Sequence, residues 1–112
     1  MGRGKIASQC CHAACEATRI LERNGRKCPY YQGWLKDGET KIVLRATEKE
    51  ILKLTDEYQV DRVVKRESQQ LWCTSVRDAG RTQIPAGSLT CIAFRPSPKD
   101  EIPQQVKKFK LL

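Results

Sequence analysis

Two segments far apart along this chain carry most of its reactive side chains. The first is Gly2-Arg3-Gly4-Lys5-Ile6-Ala7-Ser8-Gln9-Cys10-Cys11-His12-Ala13-Ala14, and the second is Asp78-Ala79-Gly80-Arg81-Thr82-Gln83-Ile84-Pro85-Ala86-Gly87-Ser88. Each sets glycine-containing backbone beside cations and hydrogen-bonding groups, the local chemistry of a phosphate or oxyanion site. Asp78 brings a carboxylate to the end of an expected strand, where open α/β sheets hold their sites. Thr82, Gln83 and Ser88 add neutral donors and acceptors, and Thr90 follows two residues into the next expected strand. Strict alternation would put Ser88 and Thr90 on one face. His12 is the sole histidine, so no serine–histidine–aspartate or cysteine–histidine set can be assembled. Water attack assisted by a carboxylate and a lysine suits these residues better than covalent catalysis.

Several elements must position these groups. Ile6, Cys10, Ala13, Ala14, Ala17, Ile20 and Leu21 recur at three- and four-residue steps, which predicts a helix from about Gly4 to Arg23 with one apolar face. Beside that face runs a polar stripe of Lys5, Gln9, His12, Glu16, Arg19 and Arg23, with its first members near the helix N-terminus, where unpaired N–H groups favour an anion. Asn24-Gly25 is the expected stop. Pro29 to Trp34 is a second, shorter helix or a packed loop, and Lys36-Asp37-Gly38 is a turn into a short β run at 41–45. Thr47 with Glu50 forms a capping box that opens a helix to about Gln59. Strands are expected at 71–77 and 89–95, and Ser97-Pro98 starts a final helix that Pro103 must kink or delay. The charged stretch Val60–Gln70 reads as a surface insertion. The expected class is α/β: a small mixed β-sheet flanked by helices in a three-layer α/β/α arrangement.

The 112 residues suit a single domain, residues 1–112. A formal net charge of +8 favours a polyanionic partner, nucleic acid before an anionic membrane. No apolar run approaches the ~20 residues of a membrane span, and a cytoplasmic location is expected. The six cysteines lack a second paired cluster that would complete a four-ligand metal site, so no metal is expected and buried thiols are the preferred reading.

The first segment resembles the first-helix signature of the archaeal/eukaryotic-type peptidyl-tRNA hydrolases, and Asp78-Ala79-Gly80-Arg81-Thr82-Gln83 resembles their loop signature, with Gly87-Ser88-Leu89-Thr90 at the family's spacing. The similarity extends over almost the whole chain, including Gly38 to Arg45 and the closing Lys108-Phe109-Lys110-Leu111-Leu112. It implies hydrolysis of the ester joining a stalled peptide to the 3′ end of tRNA, with peptidyl-tRNA as partner, no membrane and no cofactor. Its implicated residues fall on Lys5, Gln9, Asp78, Thr82 and Thr90 as catalytic, and His12 also matches a family position; together with His12, the residues Arg3, Arg81, Ser88 and Arg23 are expected to contact substrate or tRNA. A non-catalytic tRNA-binding relative and a protein-interaction module are the alternatives, and a homodimer is left open. The family pattern also implies an apolar strand before the glycine–lysine motif, whereas this sequence starts at the motif. A strand of ~5–6 residues burying about three large side chains contributes roughly 5–9 kcal/mol, comparable to the stability of a whole domain. An N-terminally truncated version of the domain is therefore expected, or a sheet completed by a partner strand.

Overall fold

A computed structural model describes residues 2–23, 28–60, 70–77 and 87–112. Helix α1 spans Arg3–Arg23, one residue longer at its start than the apolar periodicity requires. Its buried residues are Ala13, Ala17, Ile20 and Leu21, with Ile6, Cys10 and Ala14 half-buried along the same face. Small alanines there bring the helix backbone close to the sheet. A short helix α2, Tyr31–Lys36, follows, and the turn after it uses Gly38 at φ +96°, where a side chain would be strained.

Helix α3, Glu48–Tyr58, starts at the expected capping box. Glu50 N–H donates to Thr47 Oγ1 (3.2 Å) while Thr47 N–H donates to Glu50 Oε1 (2.8 Å), so two orphan donors of the first turn are satisfied reciprocally. Strands β1, Cys73–Arg77, and β2, Leu89–Phe94, pair antiparallel. A single parallel bridge joins Gln59 to Cys73, so both pairing directions are present.

The register shows which helix covers which face. Thr74 pairs with Ala93 and Val76 with Cys91; Ala93 packs against the cluster that includes Ala17, Ile20 and Leu21 of α1, and the Cys91 sulfur faces Cys10 of α1. The alternate pairs, Cys73 with Phe94 and Ser75 with Ile92, face α3: Phe94 meets Tyr58 edge-on at 5.5 Å, and Ser75 Oγ donates to Gln59 Oε1, just beyond α3, at 3.2 Å. Helices thus cover opposite faces of the sheet, the expected three layers. The core is centred on α1, Cys28, Tyr31 and Trp72, with Trp72 only 2% exposed.

Two expected elements differ. The run at 41–45 is not a strand but makes one antiparallel bridge, Leu44 to Leu111, flanked by Arg45 N–H to Lys110 O (2.8 Å) and Leu112 N–H to Val43 O (3.1 Å). The partner segment follows directly on a helical turn, and the pairing is a single bridge rather than a ladder. The final helix divides into a 3₁₀ turn, Lys99–Glu101, and a short helix α4, Gln104–Lys107. Pro103, at the N-cap of α4, cannot donate the hydrogen bond that would continue the first turn into the second. The expected helix stop at Asn24-Gly25 and residues 61–69 of the expected insertion lie outside the described residues.

Candidate functional site

Helix α1 begins with cations. Its first turn holds no acidic residue, while Arg3 and Lys5 sit where the helix dipole already presents positive charge. This arrangement costs a few tenths of a kcal/mol in an isolated helix and favours a bound anion. Lys5 is half-buried, and Gln9 follows one turn later on the same face, so the two side chains point the same way from the helix.

Gln9 is the point at which the first segment meets β2, the strand that follows the second. Thr90 Oγ1 donates to Gln9 Oε1 at 2.8 Å, joining residues 81 apart in sequence, and also lies 3.2 Å from the carbonyl oxygen of Val76. A hydroxyl has one proton, so the shorter contact takes most of it. The backbone explains why Thr90 reaches α1 at all. Val76 pairs with Cys91 and Arg77 pairs with Leu89, which leaves Thr90 as the extra residue of a β-bulge. A bulge re-aims the side chain it carries, and here Thr90 and its neighbour Cys91 both face α1, which strict alternation forbids. The bulge thus breaks the strand's alternation between Thr90 and Cys91. Ser88 itself is half-buried just before β2.

Next to this contact, the sulfurs of Cys91 and Cys10 lie 4.0 Å apart. Burial, with the Cys10 sulfur beside it, pushes the Cys91 thiol up to about 12. Cys73 is fully buried and likewise raised to about 12 by desolvation. Cys28 is buried, whereas Cys11 and Cys15 are exposed on α1. Among the described residues no group of three or more His, Cys, Asp or Glu side chains could hold a metal ion.

A groove of about 540 Å³ opens beside the first turns of α1. Arg3, Ile6, Ala7 and Cys10 form one wall, and Val43, Arg45 and Leu112 the other. Arg45 was not among the expected site residues; its only signal was a cation closing the short apolar run at 41–45. Arg77 was also missed. At the end of β1 its guanidinium Nη1 donates to Gly87 O at 2.6 Å, tying together the two ends of the segment that carries Asp78. Gly87 has φ +87°, so a glycine is needed where the chain re-enters the sheet.

The remaining residues divide as follows. Lys5, Gln9 and Thr90 are brought to one edge of α1 and β2, with Arg3 at the head of the helix. His12 and Arg23 are exposed on α1, and Arg23 lies at the far end of the helix from Lys5. Glu16 and Arg19 form an exposed pair at 2.7 Å on the polar stripe, which holds the Glu16 carboxyl below its usual range, chiefly through the Arg19 hydrogen bond. Asp78, Arg81 and Thr82 lie outside the described residues.

The family model described as Peptidyl-tRNA hydrolase PTH2 matches residues 1–112. A peptidyl-tRNA hydrolase of Methanococcus vannielii is 36% identical over 113 residues, covering 100% of this chain and 89% of that protein. The corresponding protein of Metallosphaera sedula is 37% identical over 114 residues, covering 100% of this chain and 90% of that one. Peptidyl-tRNA hydrolase 2 of Saccharomyces cerevisiae is 37% identical over 116 residues, 99% of this chain and 52% of the yeast protein. With the family model matched from end to end and relatives at this level of identity, the chain belongs to the peptidyl-tRNA hydrolase PTH2 family.

Proposed function

We propose that this protein hydrolyses the ester bond between a peptide and the 3′ end of tRNA, releasing the peptide acid and free tRNA. Family membership supports the reaction class. The observation that carries the reading to particular residues is the Thr90–Gln9 hydrogen bond, because it ties the first-helix signature to the start of β2 beside a helix start built from cations.

The ester has a good leaving group in the ribose oxygen, so the enzyme chiefly has to position water and stabilise developing negative charge. In this reading Asp78 orients and deprotonates the attacking water, directly or through Thr82. Lys5, helped by the α1 dipole, stabilises the oxyanion or the departing ribose oxygen. Gln9 and Thr90 hold the peptide carbonyl or the terminal adenosine. Arg3, Arg23, Arg81, His12 and Ser88 contact the tRNA, and Arg45 joins Arg3 at the groove rim. Such contacts go mainly to phosphate and give salt-sensitive binding with little base reading. Peptidyl-tRNA is then the partner and the cytoplasm the working compartment. Among the described residues no helix is long and apolar enough to cross a membrane.

The test is release of an N-acylated amino acid from charged tRNA. Asp78→Asn is expected to lower the rate by about 100-fold or more while leaving tRNA affinity nearly unchanged. Equal turnover by the variant would remove the carboxylate from the mechanism.

A further inference from the structure

We infer that Cys10 and Cys91 form an oxidative modification site, a dithiol that hydroperoxides convert to a disulfide linking α1 to β2 beside Gln9 and Thr90. Four observations converge on it. The two sulfurs lie 4.0 Å apart although their residues are 81 apart in sequence. Neither is shut away in the core as Cys73 is: both are half-buried. Cys10 also lines the open groove beside α1, which gives a small oxidant access to its sulfur. Each cysteine is the immediate chain neighbour of a member of the Gln9–Thr90 contact, because the bulge turns Thr90 and Cys91 toward the same helix.

The chemistry balances with hydrogen peroxide as the oxidant. The Cys10 sulfur attacks one peroxide oxygen and the O–O bond breaks. The other oxygen leaves as water with the thiol proton, giving a sulfenic acid. The Cys91 sulfur then attacks the Cys10 sulfur, the S–S bond forms and the S–O bond breaks. The hydroxyl departs as a second water with the Cys91 proton. Two electrons have passed from the thiol pair to the peroxide, and the protein has lost two hydrogens. The order follows from access: Cys10 lines the open groove and meets the oxidant first, and Cys91, behind it, resolves.

A disulfide requires a sulfur separation of ~2.05 Å, so the sulfurs must close by about 2 Å. That closure acts one residue from the 2.8 Å bond between Thr90 and Gln9 and displaces one side chain relative to the other. Misplacing groups in such a site by about 1 Å can lower a rate ~100-fold, and a loss on the order of ten-fold is expected here. The rate effect rests on the function proposed above; the covalent link does not.

The experiment uses the full chain carrying Cys11→Ser and Cys15→Ser, which removes the two exposed thiols. Hydrogen peroxide should produce a loss of two hydrogens by intact mass and a non-reduced proteolytic fragment joining the peptides of Cys10 and Cys91. Hydrolysis of acylated tRNA should fall about ten-fold and return with dithiothreitol. Cys91→Ala, with folding checked by circular dichroism, should hydrolyse the ester when reduced, and with peroxide should gain oxygen at Cys10 without losing two hydrogens or forming a linked fragment. Absence of the linked fragment, a formed link with unchanged rate, or the same loss of two hydrogens in Cys91→Ala would each overturn the inference. A reduced protein that never cleaves the ester refutes the proposed function instead, and the linked fragment then decides the cysteine pair alone.

Discussion

Replacing Thr90 by Val removes one hydroxyl and little else. Valine keeps the β-branched shape, suits a strand, and fills nearly the same volume, so backbone and packing around the bulge should persist. What is lost is a 2.8 Å bond to Gln9 Oε1 and a weaker 3.2 Å approach to Val76 O. The hydroxyl proton serves one acceptor at a time, so a single net hydrogen bond disappears. Thr90 and Gln9 are both half-buried, and water can reach the abandoned amide. The expected cost is therefore ~1 kcal/mol, near the centre of the ~0.5–1.5 kcal/mol range for net hydrogen bonds, and not the larger penalty of a sealed, unsatisfied group.

Gln9→Ala provides the second edge of a double-mutant cycle. Urea unfolding of the parent, both single variants and the double variant should give a coupling of ~1 kcal/mol, since the double variant cannot lose the same bond twice. Hydrolysis of acylated tRNA should be measured on the same four proteins. If the pair only braced α1 against β2, the loss in rate would track the fraction unfolded, which stays small in buffer. If the pair positions substrate, Thr90→Val should lower kcat by about ten-fold, equivalent to ~1.4 kcal/mol of transition-state stabilisation. Coupling within ~0.5 kcal/mol of zero is indistinguishable from additivity. That result, or unchanged kcat in a folded Thr90→Val protein, would refute the assignment.

Thr47→Ala removes the side chain that caps α3 and should lower stability by ~1 kcal/mol in urea unfolding, while hydrolysis stays unchanged because α3 covers the face of the sheet opposite α1. Alkaline pH should destabilise the fold through Cys73. Its thiol ionises near its ordinary value of 9.0 when unfolded but near about 12 when buried, so the stability it contributes is complete below pH 9 and is lost as pH rises toward 12. Urea midpoints should be flat up to pH 9. Above it stability should fall by ~1.4 kcal/mol per pH unit for this thiol, and Cys73→Ala should reduce that slope.

The parts of the molecule that were legible in its sequence are those whose cause is local. The helix face from Ile6 to Leu21 is set by periodicity, the α3 start by two side chains three residues apart, and β1 and β2 by short apolar runs with a loop between them. The run at 41–45 has the composition of a strand, but whether it becomes one depends on Lys110–Leu112, at the other end of the chain. No local signal reports how far that distant segment pairs with it. The same limit applies to Arg77, whose partner Gly87 lies across a loop, and to Cys10 and Cys91, which appear in the sequence as two unrelated members of apolar faces.

The site shows this limit most clearly. Gln9 and Thr90 were matched by resemblance to the family signatures, and an uninterrupted two-residue period along β2 would send Thr90 and Cys91 to opposite faces. One extra residue in β2 changes that result: it places consecutive side chains, Thr90 and Cys91, against the same helix. A strand of ideal register would deliver only one of them. The bulge therefore has a role that the hydrogen-bond ladder alone does not explain, since it gives up a regular pairing at Thr90 and gains a hydroxyl aimed at Gln9. The cations Arg3 and Lys5 at the head of α1 are a second departure from local optimum, because a carboxylate there would stabilise the helix better. Two such departures, on elements that share no local sequence, lie at one edge of the fold, the pattern that the proposed site would produce.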